Sequence, residues 1–164
     1  VIYNLRTAVK NPKDYTARSN LLWASTMAEN RIIKLGKKCD FQCHQMEHQL
    51  GAYTDCNHGF GVAVLHPVYY KHIYLYGLPK FVRFAENVWG IERNGRGDHE
   101  LAMEGIQALA DFIKELGLPT TLREIGVSDR TELKVIADSC NISQGSYQKM
   151  TREEILKILN ECYE

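Results

Sequence analysis

The spacing of apolar residues constrains the fold more than any other feature of this chain. Large apolar side chains recur every three to four positions along most of the 164 residues, and strict alternation of apolar and polar residues is scarce. The first spacing places apolar side chains on one face of an α-helix, whereas alternation would predict strands. The sequence therefore predicts an all-α fold, a bundle of about seven helices over residues 1–164.

Several polar residues mark where the predicted helices begin. Asp14, Asp98 and Ser128 each precede an apolar run and are predicted N-caps. Thr151 followed by Glu154 has the sequence of a capping box for the last helix. A strongly apolar helix is predicted from about 62 to 76, with a kink or break at Pro67. Trp23 and Trp89 are predicted core residues.

The segment HQMEHQLGAYTDCNHG contains three of the six histidines, His44, His48 and His58. A helix is predicted from about 41 to 54, so His44 and His48, four positions apart, share one face. His58 follows in a predicted polar turn at 55–61. Two imidazoles on one helix face and a third from the next loop suit a divalent metal.

The order of residues in this segment resembles a motif of the iron-containing alcohol dehydrogenases, and among them the butanol dehydrogenases. In that motif a histidine, three residues, a second histidine, an L-[GS]-A-[FY] segment and an HG pair follow in this order. The likeness continues through 12–28, 60–91 and 116–127, and so covers most of the chain. The resemblance implies the C-terminal helical, metal-binding domain of that family, with a dehydroquinate synthase-like fold.

The resemblance also implies a role for each of the three histidines. His44 and His58, fourteen positions apart as in the family, correspond to two metal ligands. His48 corresponds to a histidine near the nicotinamide and the substrate that relays a proton. The other two family ligands, an Asp-x-x-x-His pair, come from an upstream helix without a counterpart in these residues. The implied metal is iron(II) or zinc.

The activity that the resemblance implies is the interconversion of primary alcohols and aldehydes with NAD(H) or NADP(H). The metal would favour the alkoxide, and the cofactor would exchange the hydride. We expect the nucleotide to be bound mainly by an N-terminal domain that this chain lacks, so residues 1–164 alone should be inactive. A homodimer is common in the family, and the sequence leaves the oligomeric state of this protein open.

Charge, hydropathy and cysteine content indicate which partners, cell compartment and metal sites to expect. Lys plus Arg equals Asp plus Glu at 20 each, so neither nucleic acid nor an anionic membrane is an expected partner. No apolar run approaches the roughly 20 residues that span a bilayer. Five cysteines without a regular framework suit a cytoplasmic protein. A structural zinc site is disfavoured because C-x-x-C pairs are absent, and buried, inert thiols are the better interpretation.

Two other functions fit parts of the sequence. His44 to His48 reads H-x-x-E-H, the inverted pattern of zinc metallopeptidases with Glu47 as general base, but this leaves His58 unexplained. A helical binding module without chemistry is a third interpretation. Outside the peptidase pattern, Glu47 either orients a metal ligand or is a helix-surface carboxylate, and the surface position is the commoner one. The remaining histidines are interpreted as structural or surface residues: His66, His72 and His99.

Overall fold

The structure is a computed structural model that describes residues 1–164, and it contains helices and no strands. The α-helices are α1 (Ile2–Lys10), α2 (Tyr15–Glu29), α3 (Gln42–Thr54), α4 (His58–Ile73), α5 (Leu78–Arg83), α6 (Asp98–Glu115), α7 (Glu132–Ser139) and α8 (Arg152–Glu161). The predicted all-α fold is therefore confirmed. None of these helices combines the length and the apolar character needed to cross a membrane.

The chain forms two compact units, Val1–Cys39 and Asp40–Glu164. In the first unit α1 packs on α2, and Asp14 caps α2 as predicted by accepting a hydrogen bond from the Ala17 amide at 2.8 Å. The prediction that Trp23 is a core residue is wrong, because its side chain is 67% exposed. Within the first unit only α1 and a short helical turn pack against α2, so they cover only one of its faces.

The second unit has one hydrophobic core. Here α3 packs against α4 and α7, α6 packs against α4 and α5, and α8 packs against α4 and α7. The largest fully buried side chains come from all of these helices except α5 and from the neighbouring segments: Met46, Leu50, Leu65, Tyr69, Ile73, Leu101, Ile106, Leu122, Leu133, Ile136, Ile155 and Ile158. The contact between α3 and α4 positions the histidine-rich segment.

The start of α4 differs from the prediction. The turn predicted at 55–61 ends early, and His58 is the first residue of α4 rather than a loop residue. Asn57 explains the difference, because its side chain accepts a hydrogen bond from the Phe60 amide at 3.3 Å and caps the helix. Pro67 lies buried inside α4, which runs unbroken from His58 to Ile73.

The later helix starts were predicted with mixed success. The capping box of α8 is confirmed, since Thr151 and Glu154 each accept a hydrogen bond from the backbone amide of the other. Gly97 rather than Asp98 is the N-cap of α6. Ser128 does not cap α7, which begins at Glu132.

Candidate metal centre

Helix packing brings the three histidines of the motif into one cluster. His44 and His48 lie one turn apart on α3, and His58 begins α4, which packs across α3. The ring centroids are 5.5 Å apart for His44 and His58, 5.9 Å for His48 and His58, and 6.3 Å for His44 and His48. Residues separated by fourteen positions therefore meet at one site.

Glu47 is buried beneath this cluster. Its carboxylate accepts a hydrogen bond from Nδ1 of His58, and its side chain is 3% exposed whereas that of His58 is 58% exposed. The interpretation of Glu47 as a helix-surface carboxylate is wrong, because α4 covers this side of α3. A carboxylate at this position favours the tautomer of the His58 imidazole that carries its proton on Nδ1 and its lone pair on Nε2.

Two glycines make room for the Glu47 side chain. A Cβ at Gly61, on α4, would lie 2.8 Å from Cγ and 3.2 Å from Oε1 of Glu47. A Cβ at Gly51, one turn along α3, would lie 3.4 Å from the same Oε1. The carboxylate thus occupies a narrow slot, which a larger residue at Gly61 would close.

His44 contacts two further aromatic rings. Its ring stacks on Phe41, with centroids 4.2 Å apart and planes inclined by 16°. The ring of His66 lies edge-on to that of His44, with centroids 5.9 Å apart. The half-buried His44 ring therefore has a defined orientation within the cluster.

His66 contacts the ring of His44 and is a structural histidine, one of the two roles predicted for it. Its Nδ1 donates a hydrogen bond to the Val62 carbonyl at 3.1 Å. Burial, aided by the nearby His44, lowers the His66 pKa to about 4, against the hydrogen bond to Val62, so this ring is neutral at pH 7. His66 follows His58 by eight positions, and residues at this spacing share a helix face, so both rings lie on the side of α4 that meets α3.

The donor atoms fit a divalent first-row metal. Ligand atoms of Glu47, His48 and His58 lie within 4.8 Å of one another, and the ring of His44 adjoins that of His58. Imidazole nitrogen with carboxylate oxygen is a donor set that iron(II) and zinc accept. The exposed rings of His48 and His58 leave the cluster open on one side.

The cysteines take no part in this group of ligand atoms. Cys43, Cys140 and Cys162 are buried, as predicted, whereas Cys39 is exposed. Burial raises the pKa of Cys140 to about 11 and that of Cys162 to about 12, so both thiols stay protonated and unreactive at pH 7.

The geometry disfavours a metallopeptidase. In that mechanism the Glu47 carboxylate would have to accept a proton from a water in the active site. In the structure this carboxylate is buried and its Oε2 is already bonded to His58. The match to H-x-x-E-H is therefore not evidence of a peptidase site.

Comparison with known proteins agrees with these observations. Residues 1–163 match the profile described as the Fe-containing alcohol dehydrogenase family, C-terminal. NADH-dependent butanol dehydrogenase A of Clostridium acetobutylicum is 39% identical over 97% of this chain and 43% of its own length. The NADPH-dependent aldehyde reductase of Escherichia coli is 32% identical over 73% of this chain and 30% of its own length.

Solved structures give the same result. The crystal structure of NADH-dependent butanol dehydrogenase A from Thermotoga maritima matches with a TM-score of 0.90 at 30% identity, over 99% of this chain and 43% of that one. A 1,3-propanediol oxidoreductase structure matches with a TM-score of 0.85 at 26% identity, over 99% of this chain and 42% of that one. The chain thus spans less than half the length of the relatives that it matches.

Proposed function

Because this chain belongs to the C-terminal domain of the iron-containing alcohol dehydrogenase family, we propose that it forms the metal-binding part of an NAD(P)H-linked enzyme that interconverts primary alcohols and aldehydes. The observation that carries the proposal is the convergence of His44, His48 and His58 where α3 and α4 pack together. The named relatives act with NADH or NADPH, and we extend that dependence to the complete protein containing this chain.

His44 and His58 would hold the metal. The stacking of His44 on Phe41 and the bond from His58 to Glu47 restrain both rings. Lewis acidity toward the alcohol oxygen is the chemistry that iron(II) or zinc supplies in such a site. We propose that the complete protein adds an aspartate and a further histidine to the ligand set from outside these residues, together with a nucleotide-binding domain.

His48 would transfer the hydroxyl proton of the alcohol. Its ring is exposed and lies 5.9 Å from that of His58 and 6.3 Å from that of His44. A neutral imidazole accepts a proton when an alcohol is oxidised and returns it when an aldehyde is reduced. Hydride exchange belongs to the nicotinamide, so the role of His48 is confined to proton transfer.

The experiment that tests this function uses the complete protein loaded with iron(II) or zinc. We expect butanal to be reduced with NADH or NADPH, and metal content and activity to be lost together in His44→Ala and in His58→Ala. His72→Ala is the matched control, because His72 bonds Glu161 outside the cluster. Retained metal and activity in both cluster variants, or peptide cleavage without aldehyde reduction, would contradict the proposal.

A further inference from the structure

We propose that Glu47 is a positioning residue that sets the protonation pattern and the orientation of His58. The inference rests on the proposed function, in which His58 is a metal ligand. Glu47 would act through His58, by holding the proton on Nδ1 so that Nε2 is free to bind the metal. A histidine ligand whose second nitrogen bonds a carboxylate is a better-oriented and more basic ligand.

Little besides Glu47 restrains the ring of His58. This residue is the first of α4 and its side chain is 58% exposed, so packing alone restrains its ring little. The hydrogen bond from Nδ1 to Glu47 is the polar contact that restrains the ring. Without that acceptor the ring could rotate, and its proton could occupy either nitrogen.

Glu47 is buried, with a side chain that is 3% exposed. A carboxylate taken out of water is costly unless it is hydrogen-bonded, so its position next to His58 needs a compensating interaction. The bond to Nδ1 supplies that interaction for Oε2. The slot between Gly51 and Gly61 then restrains the rest of the side chain, so the rigid partner orients the exposed one.

Direct ligation by Glu47 is the competing arrangement. Its carboxylate does lie within 4.8 Å of ligand nitrogens of His48 and His58. Oε2 of Glu47, however, accepts a hydrogen bond from Nδ1 of His58. A metal bound to Nε2 would lie on the opposite side of that ring. The contact therefore favours a supporting role for Glu47.

The test compares Glu47→Gln, which keeps an acceptor oxygen and the shape, with Glu47→Leu, which removes the acceptor. Nitrogen-15 NMR of the metal-free complete protein, at a pH where imidazole is neutral, reports which nitrogen of His58 carries the proton. Competition with a chelator measures zinc affinity. Met46→Leu, a change at the adjacent buried position, is the matched control.

We expect the Nδ1–H form of His58 in the wild type, in Met46→Leu and in Glu47→Gln. Glu47→Leu should shift the proton toward Nε2 and weaken zinc binding by about 10–100-fold, with a smaller loss in Glu47→Gln. An unchanged His58 spectrum in Glu47→Leu would overturn the proposal. Equal, complete loss of zinc in both Glu47 variants would also overturn it, since that outcome identifies a direct ligand.

A different zinc-binding result is expected if the proposed function is wrong. In that case the wild type would bind zinc no better than His58→Ala, whatever the residue at position 47. The nitrogen-15 spectrum is recorded without metal, so it would still decide whether Glu47 controls the His58 ring.

Discussion

Gly61 lies directly against Glu47 across the contact between α3 and α4. A methyl group at Gly61 would come within 2.8 Å of Glu47 Cγ, closer than such atoms approach without displacement. The missing side chain on one helix therefore decides where the carboxylate of the other can lie. Through the bond from Glu47 to His58, this contact extends to the candidate metal site.

Gly61→Ala should accordingly weaken zinc binding as well as stability. Overpacking costs about 1–3 kcal/mol, and the better helix propensity of alanine returns about 0.5–1 kcal/mol. We expect a net loss of roughly 1 kcal/mol in the free energy of unfolding, measured with urea. Chelator competition should show weaker zinc binding because Glu47 no longer reaches His58.

Gly105→Ala is the matched control for that change. Its Cβ would lie 2.8 Å from the Cβ of Ala85, so it overpacks a different helix contact. It should lower the free energy of unfolding while zinc affinity stays unchanged. Equal zinc affinity in the two glycine variants would refute the link from Gly61 to the site.

His48→Ala should separate proton transfer from metal binding. We expect turnover of the complete protein to fall by about 10²–10⁴-fold, the usual contribution of general acid–base catalysis. Metal content, measured by mass spectrometry, should remain near that of the wild type. A variant that loses metal as fully as His44→Ala would instead identify His48 as a ligand.

Residues 1–164 expressed alone should be inactive. A metal held only by His44 and His58 lacks two of the four ligands of the proposed complete site. Its affinity should fall by more than the roughly 10–100-fold seen when a residue supporting a ligand is lost. NADH oxidation with butanal, measured with added iron(II) or zinc, tests this prediction. Turnover comparable to that of the complete protein would contradict it.

The stability of the second unit should decrease in alkali. Burial raises the pKa of Cys162 from 9.0 to about 12, so above pH 9 the unfolded chain loses a proton that the folded chain retains. The free energy of unfolding therefore falls as the pH rises from 9 toward 12, by about 1.4 kcal/mol per pH unit for this thiol. Cys140, with its pKa raised to about 11, adds to the same trend.

Urea unfolding at a series of pH values checks that sign. Cys162→Ala should reduce the alkaline slope, whereas Cys39→Ala, a change at an exposed thiol, should leave it unaltered. A slope that is identical in the wild type and Cys162→Ala would show that this thiol is ionised in the folded state.

The sequence by itself determined the helical class, the family and the shared face of His44 and His48. The helical class and the shared face depend on residues within a few positions of one another. They follow from the period of the apolar residues, from the four-residue spacing, and from caps such as Asp14 and Thr151. The resemblance rested on the order of residues in the histidine-rich segment and on the likeness of the segments around it, and the family comparison confirmed the family. The metal and proton roles of the three histidines stay predictions.

Only the tertiary structure decided which neighbouring side chains are buried. Glu47 is buried and His66 contacts His44 because α4 packs across α3. Trp23 is exposed because its unit covers one face of α2. Helical spacing assigns a residue to a face but does not say which neighbour will cover that face. That outcome depends on close approach between helices, here allowed by Gly61, and so on residues distant in sequence.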